Sequence, residues 1–178
     1  MNIVVYLGAS DGFDAEFQSA ATRLGEMIAE SGNTLVYGGS KSGLMGRLAI
    51  GALSKGGRVI GIEPRIFIDD ERQLDDLTEL IVTDTFTERK TKMKEMGDAF
   101  IAFPGGTGTL DEISEIMCDT SLGFSSKPCV LLNLDGYYDG LKALLSKAVE
   151  KGYSSEKRLS GITFCSSVEE AMELINGN

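Results

Sequence analysis

Short, nearly continuous apolar runs alternate with longer amphipathic stretches along this chain. That alternation predicts an α/β fold built on a doubly wound parallel sheet. Three observations carry the prediction. Runs such as Val4-Val5-Tyr6-Leu7 and Val130-Leu131-Leu132 lack the polar alternation of a half-exposed strand and read as strands covered on both faces. The stretches between them repeat apolar residues at helical spacing, as in Phe17, Ala21, Leu24, Met27 and Ile28. Glycine-bearing loops follow several strands, at the edge where such a sheet binds its ligands.

The elements follow in order. A first strand is expected over 3–7, and Asp14 is placed to cap a helix over 14–31 that Gly32 ends. A strand at 34–37 leads through Gly38-Gly39-Ser40-Lys41-Ser42-Gly43 to a helix over 44–54. Strands are expected at 58–62 and 79–82, a helix over 87–96 closed by Gly97, and a buried strand at 99–103. A Gly-rich turn then feeds a helix over 109–121. A strand at 129–132, a helix over 138–151, a strand at 162–165 and a helix over 168–175 complete the pattern. About seven parallel strands flanked by helices make a Rossmann-like sheet. Nothing in the sequence divides it, so residues 1–178 are expected to form one nucleotide-binding domain. At this length roughly 70% of the unfolded chain's surface can be buried.

Composition narrows the function. The formal charge is −10, from 27 acidic and 17 basic residues, which repels nucleic acid and anionic membrane. No run spans a bilayer, and Met1-Asn2-Ile3-Val4-Val5 lacks the basic start of a signal peptide. Cys118, Cys129 and Cys165 form no metal or redox spacing and fit a reducing cytoplasm. Histidine is absent, which removes Ser-His-Asp and Cys-His mechanisms and imidazole metal ligands. Acid–base work falls to carboxylates, Lys, Tyr, Cys or water.

The most informative segment is Phe103-Pro104-Gly105-Gly106-Thr107-Gly108-Thr109-Leu110-Asp111-Glu112. A strand feeding a glycine turn at a helix start is an anion site, because bare N–H groups and the positive helix end face one point. Asp111 and Glu112 are expected in that helix's first turn. One acid there is explained by the helix dipole, at ~0.3–1 kcal/mol. Two beside an anion site point to chemistry on a phosphorylated small molecule. The loops Gly8-Ala9-Ser10 and Gly38-Gly39-Ser40 should lie on the same edge and supply Ser10, Gly39 and Ser40. Tight turning accounts for the first loop equally well, whereas the second, with Gly46 in the following helical turn, suits a close ligand. Neither the P-loop nor the dinucleotide fingerprint is matched. Thr87-Glu88-Arg89-Lys90 opens a helix with two cations where the dipole disfavours them, and Arg can grip phosphate or carboxylate with two parallel bonds. The acidic run Asp69-Asp70-Glu71 reads as solvated surface, and Asn133-Leu134-Asp135-Gly136-Tyr137-Tyr138 as a turn.

Gly38-Gly39 with Gly43-Leu44-Met45-Gly46, then Glu88-Arg89-Lys90, then the segment from Asp98 to Glu112 together resemble the Lonely Guy family. Its members are cytokinin riboside 5′-monophosphate phosphoribohydrolases, long labelled lysine decarboxylases. The similarity covers nearly the whole chain, including Lys127-Pro128 and the turn at 133–138. The resemblance implies hydrolysis of the N-glycosidic bond of AMP or N6-substituted AMP to free base and ribose 5-phosphate. It implies no metal or cofactor, and a homodimer for which the Met-rich helix at 87–97 is a candidate interface. Position by position, Arg89 and Glu112 match the catalytic pair. Lys90, Gly106, Thr107, Gly108 and Thr109 match nucleotide-binding positions, with Gly105 beside them, and Glu71 matches one more. Phe86-Thr87 stands where the family has Met-His, and Cys118 where plant members have Thr; both departures bear on base preference. The alternative is a non-catalytic nucleotide-binding or carrier protein of the same superfamily, which would not need the Arg89–Glu112 pair. A pyridoxal-phosphate decarboxylase lacks its lysine setting here, and an NAD dehydrogenase its glycine fingerprint.

Overall fold

The computed structural model describes residues 1–69 and 73–177. The strands β1 (Asn2–Tyr6), β2 (Thr34–Tyr37), β3 (Arg58–Pro64), β4 (Glu79–Thr83), β5 (Ala99–Ala102), β6 (Cys129–Leu132) and β7 (Ile162–Cys165) form one sheet. Their order is β4-β3-β2-β1-β5-β6-β7 and every pairing is parallel. The helices are α1 (Ala15–Glu30), α2 (Gly43–Ser54), α3 (Arg65–Asp69), α4 (Phe86–Met96), α5 (Thr107–Leu122), α6 (Asp139–Glu150), α7 (Glu156–Leu159) and α8 (Val168–Asn176).

The period-two alternation of β1 splits the core into two layers. Ile3, Val5 and Leu7 pack with Leu24 and Ile28 of α1, Leu48 of α2 and Met172 of α8. Val4 and Tyr6 pack on the other face with Met93 of α4 and Ile113, Ile116 and Met117 of α5. Double coverage is why the strands read as unbroken apolar runs. Asp14 caps α1 by accepting from the Glu16 N–H at 2.8 Å, and Gly32 follows with φ +71°. Strand order reverses at β1, which lies between β2 and β5. That switch point opens a crevice at the carboxyl ends of β1 and β5.

Several boundaries differ from expectation. Gly106, in extended conformation, is the N-cap of α5, so that helix starts at Thr107 rather than at 109. Asp111 and Glu112 therefore stand in its second turn, not its first. β3 runs on to Pro64, and the five-residue α3 and four-residue α7 were not expected, being too short to show a helical period. Met93 is fully buried against the sheet, so the methionines of α4 serve this chain's own core first. Cys129 and Cys165 are buried strand residues, and Cys118 is exposed on α5. Among the described residues no helix is long and apolar enough to cross a membrane.

Candidate active site

The loops after β1, β2 and β5 meet around a cavity of about 850 Å³, room enough for a nucleotide-sized ligand. Its most distinctive wall is the start of α5. No side chain caps this helix, and the Leu110 N–H is the first to bond back, to the Gly106 carbonyl at 3.1 Å. The amides of Thr107, Gly108 and Thr109 thus precede the helical ladder. A Cβ added to Gly106 or Gly108 would meet nothing within 4 Å, and neither residue has positive φ. The fold does not ask for glycine at either position, and one inside a helix costs about 1 kcal/mol relative to Ala. What glycine preserves here is open space above bare amides. Among the described residues five carboxylates line the cavity (Asp11, Asp14, Glu63, Asp111, Glu112) against two cations, Arg89 and Lys90. The backbone and the helix end add a positive field for an anion to that of these two cations.

The same cavity is lined by a buried ion pair. Arg89 comes from the first turn of α4, and its Nη1 donates to Glu112 Oε1 in a short contact. Its Nε donates to the Ile62 carbonyl oxygen at 2.9 Å. Each residue is only 8% exposed. A Cβ at Gly38 would sit 2.7 Å from Arg89 Nη2, so glycine at 38 makes room for the guanidinium. Burial pushes the Glu112 carboxyl above its ordinary value, and the Arg89 charge pulls the other way. Burial and the Glu112 charge both raise the Tyr6 phenol, which leaves it protonated and removes it as a base. One residue along, Lys90 Nζ pairs with Asp111 Oδ2 at 2.9 Å nearer the solvent.

The family model described as "Possible lysine decarboxylase" matches residues 45–175. A Rhodococcoides fascians protein, named cytokinin riboside 5'-monophosphate phosphoribohydrolase, is 40% identical over 175 residues, covering 98% of this chain and 88% of its own. This chain belongs to the Lonely Guy family. A Mycobacterium tuberculosis protein of the same name is 39% identical over 170 residues, covering 96% of this chain and 90% of its own. Among solved structures, a molybdenum cofactor binding protein from Rippkaea orientalis superimposes with TM-score 0.76 at 28% identity, covering 99% of this chain and 95% of its own. The molybdenum cofactor carrier protein of Chlamydomonas reinhardtii shares the fold, with TM-score 0.73 at 22% identity over 99% and 96% of the two chains.

The residues matched to Lonely Guy motifs distribute unevenly. Arg89, Lys90, Glu112 and residues 105–109 all line the one cavity, as do Ser10 and Ser40. Ser10 stands on an exposed loop whose carbonyl accepts from the Leu44 N–H at 3.4 Å. Ser40 is tied in place, its carbonyl accepting from the Tyr37 hydroxyl at 3.3 Å and its Oγ from the Ser42 N–H at 3.2 Å. Gly39 does not line the cavity. With φ +89° it turns back toward Glu63, and its carbonyl accepts from the Leu74 N–H at 3.0 Å, so it shapes the turn instead. Gly46 is likewise a packing glycine, since a Cβ there would lie 2.1 Å from the Lys41 carbonyl oxygen. Gly105 mixes both roles: it lines the cavity, and a Cβ would strike Thr109 Oγ1 at 2.1 Å. Glu71 lies outside the described residues.

Sequence reasoning missed the aromatic side of the cavity. Phe67 and Phe86 meet edge to face with centroids 5.5 Å apart, Phe13 stands fully exposed at the rim, and Tyr137 closes the end beside Gly105. The available signal was Phe86 itself, an apolar residue directly ahead of Thr87-Glu88-Arg89-Lys90 in a helix whose other exposed positions are polar.

Proposed function

We propose that this chain hydrolyses the N-glycosidic bond of AMP or an N6-substituted AMP, a cytokinin riboside 5′-monophosphate, releasing the free base and ribose 5-phosphate. One observation carries the reading: the buried Arg89–Glu112 pair faces the same cavity as the bare amides of residues 107–109, and Glu112 follows them by less than one helical turn. Relatives at 39–40% identity bearing the phosphoribohydrolase name support the reaction class.

In this reading the amides of residues 106–109, with the Thr107 and Thr109 hydroxyls, hold the 5′-phosphate. Ser10, Ser40, Lys90 and Gly105 border the rest of the nucleotide. The phosphate anchor fixes the ribose against Glu112 and converts binding energy into orientation. Departure of the base leaves oxocarbenium character on the ribosyl ring, which a facing carboxylate stabilises. Water oxygen bonds to C1′ as its proton passes to Glu112, the C1′–N bonding pair leaves with the base nitrogen, which takes up a proton from solvent, and Glu112 then returns its proton to solvent. Arg89 aims the carboxylate and offsets charge on the phosphate. The route needs no metal, so activity is expected to survive EDTA. A cytoplasmic homodimer belongs to the same proposal, and light scattering on the eluted protein checks the subunit count.

The likeness to a molybdenum cofactor binding protein at 28% identity favours a second reading, a carrier that binds without cleaving. Incubation with AMP and with N6-isopentenyl-AMP, followed by chromatography, separates the two. Free adenine or N6-isopentenyladenine is expected. Tight AMP binding with no released base would establish the carrier instead.

A further inference from the structure

Two hydrogen bonds reach the Gly-rich loop from an element the proposed chemistry leaves unused. The turn after β6 carries Tyr137 and Tyr138. The Tyr137 hydroxyl donates to the Gly105 carbonyl oxygen at 2.6 Å. The Tyr138 hydroxyl, buried, donates to the Phe103 carbonyl oxygen at 2.8 Å. The choice of acceptors is informative. In an α-helix each N–H bonds the carbonyl four residues earlier. Phe103 and Gly105 stand four residues before Thr107 and Thr109. Their carbonyls are therefore the ones that would claim those two amides if α5 extended backwards.

The turn that delivers these hydroxyls is held from several sides. Asn133 Oδ1 accepts from the Tyr138 N–H at 2.6 Å, and Asn133 Nδ2 donates to Asp139 Oδ1 at 2.8 Å. Among the described residues Asp135 is the non-glycine with positive φ, at +47°, a costly conformation that tends to sit where geometry is demanded. The rings are bracketed as well: Tyr137 meets Phe17 edge-on at 6.0 Å and Tyr138 at 5.1 Å. The buried Tyr138 phenol has little freedom to turn away from the loop, and the half-exposed Tyr137 ring is held by its two edge contacts.

We propose that Tyr137 and Tyr138 are positioning residues for the phosphomonoester: their hydroxyls anchor the Gly105 and Phe103 carbonyls and so hold the loop in the form that presents the Thr107 and Thr109 amides to the 5′-phosphate. The inference rests on the reading of residues 106–109 as the phosphate anchor. It adds that the anchor is preset from outside, by a turn more than twenty residues downstream.

Titration calorimetry with ribose 5-phosphate, AMP and adenosine tests it without requiring turnover. Tyr137→Phe removes one hydroxyl and keeps the ring. It is expected to weaken ribose 5-phosphate and AMP by about 3–10-fold, while adenosine, which lacks the phosphate, shifts by less than about twofold. Tyr138→Phe is expected to act in the same direction, and if it fails to fold, Tyr137→Phe still decides the matter. Unchanged binding of all three ligands by Tyr137→Phe, or equal weakening of AMP and adenosine, overturns the inference. Failure of the wild-type chain to bind ribose 5-phosphate overturns both this inference and the phosphate-anchor reading. Phosphate-selective weakening in a wild-type background that binds AMP without cleaving it supports the inference and removes only the hydrolytic step.

Discussion

Two ion pairs join α4 to α5 one residue apart, and they could hardly differ more in surroundings. Arg89 and Glu112 are each 8% exposed, whereas Lys90 and Asp111 have side chains 26% and 63% exposed. The outer pair continues into a solvent-side ladder, with Lys94 bridging Glu115 at 3.2 Å and Asp119 at 2.6 Å. Such exposed pairs contribute about 0–1 kcal/mol each. The inner pair is a different object. Burying two charges costs several kcal/mol per ion before their attraction is counted, so a packed apolar pair would serve stability at least as well. Keeping so costly an arrangement on the wall of the cavity that also bears the bare amides of α5 fits the catalytic role proposed for it. The adjacent Lys-Asp pair, made of the same kinds of charge, fastens the two helices at the solvent side of the same cavity.

Glu112→Gln breaks the comparison most directly. The amide keeps the shape and removes the carboxylate that would take the water proton. AMP turnover is expected to fall by about 10²–10⁴-fold while AMP still binds. Steady-state kinetics with calorimetric binding checks both halves; turnover at the wild-type level would remove Glu112 from the reaction. Gly38→Ala attacks the same pair from behind. A methyl 2.7 Å from Arg89 Nη2 must displace the guanidinium, with its partner carboxylate following. Misplacement of about 1 Å at a reacting group can cost about 10²-fold, so kcat/KM is expected to drop by about 10–100-fold. Gly39→Ala, one position along, should act through the turn instead, because its φ of +89° disfavours a side chain.

The pH dependence sharpens the contrast further. Burial raises the Glu112 carboxyl above the ordinary value near ~4.3, so the folded chain holds that proton more tightly than the unfolded chain does. Between the two values the native state binds more protons, and stability falls as pH rises. The stability contribution of protonated Glu112 is thus complete below the unfolded value and is lost as pH climbs through the folded one. Chemical denaturation of wild type and Glu112→Gln across that window should show wild type losing ground with rising pH. The acid limb of kcat/KM should have its midpoint above ~4.3 if Glu112 acts as an ionised base. A limb that persists unchanged in residual Glu112→Gln activity would assign it to another group.

Much of this was legible in the residues, for identifiable reasons. Parallel strands covered on both faces write themselves as apolar runs, and glycines mark the ends of α1 and α4, so all seven strands and six of the helices could be read. α3 and α7 escaped because five and four residues cannot display a period of 3.6. The start of α5 was misjudged by two residues because Gly106 caps it with backbone alone, giving no side-chain signal. The loop at 104–109 and the Arg89–Glu112 pair were legible as residue types at revealing places. Which of two adjacent glycines opens onto the ligand was not: Gly38 faces Arg89 and Gly39 faces Glu63 by virtue of β3 and α4, far away in sequence. The tyrosine hydroxyls reach carbonyls 32 and 35 residues distant, a relation no local pattern encodes.

The smallest expected effect belongs to the outer pair and is the sharpest check on the contrast. Asp111→Asn removes the carboxylate nearest Lys90, yet Glu115 Oε2 remains 3.7 Å from Lys90 Nζ to hold it near its place. Hydrogen bonding to Asp111 is the leading cause of the raised Lys90 value, and its loss leaves a lysine that is still fully charged at neutral pH. Stability should change by less than about 1 kcal/mol, and the difference should shrink further in 1 M salt, where exposed charges are screened beyond ~3 Å. The mirror change in the inner pair, Arg89→Met, strands a buried carboxylate and should cost about 3–5 kcal/mol with little relief from salt. Urea midpoints at low and high salt read both variants side by side. A salt-insensitive loss of several kcal/mol in Asp111→Asn would show that the two pairs are not the separate devices their burial makes them.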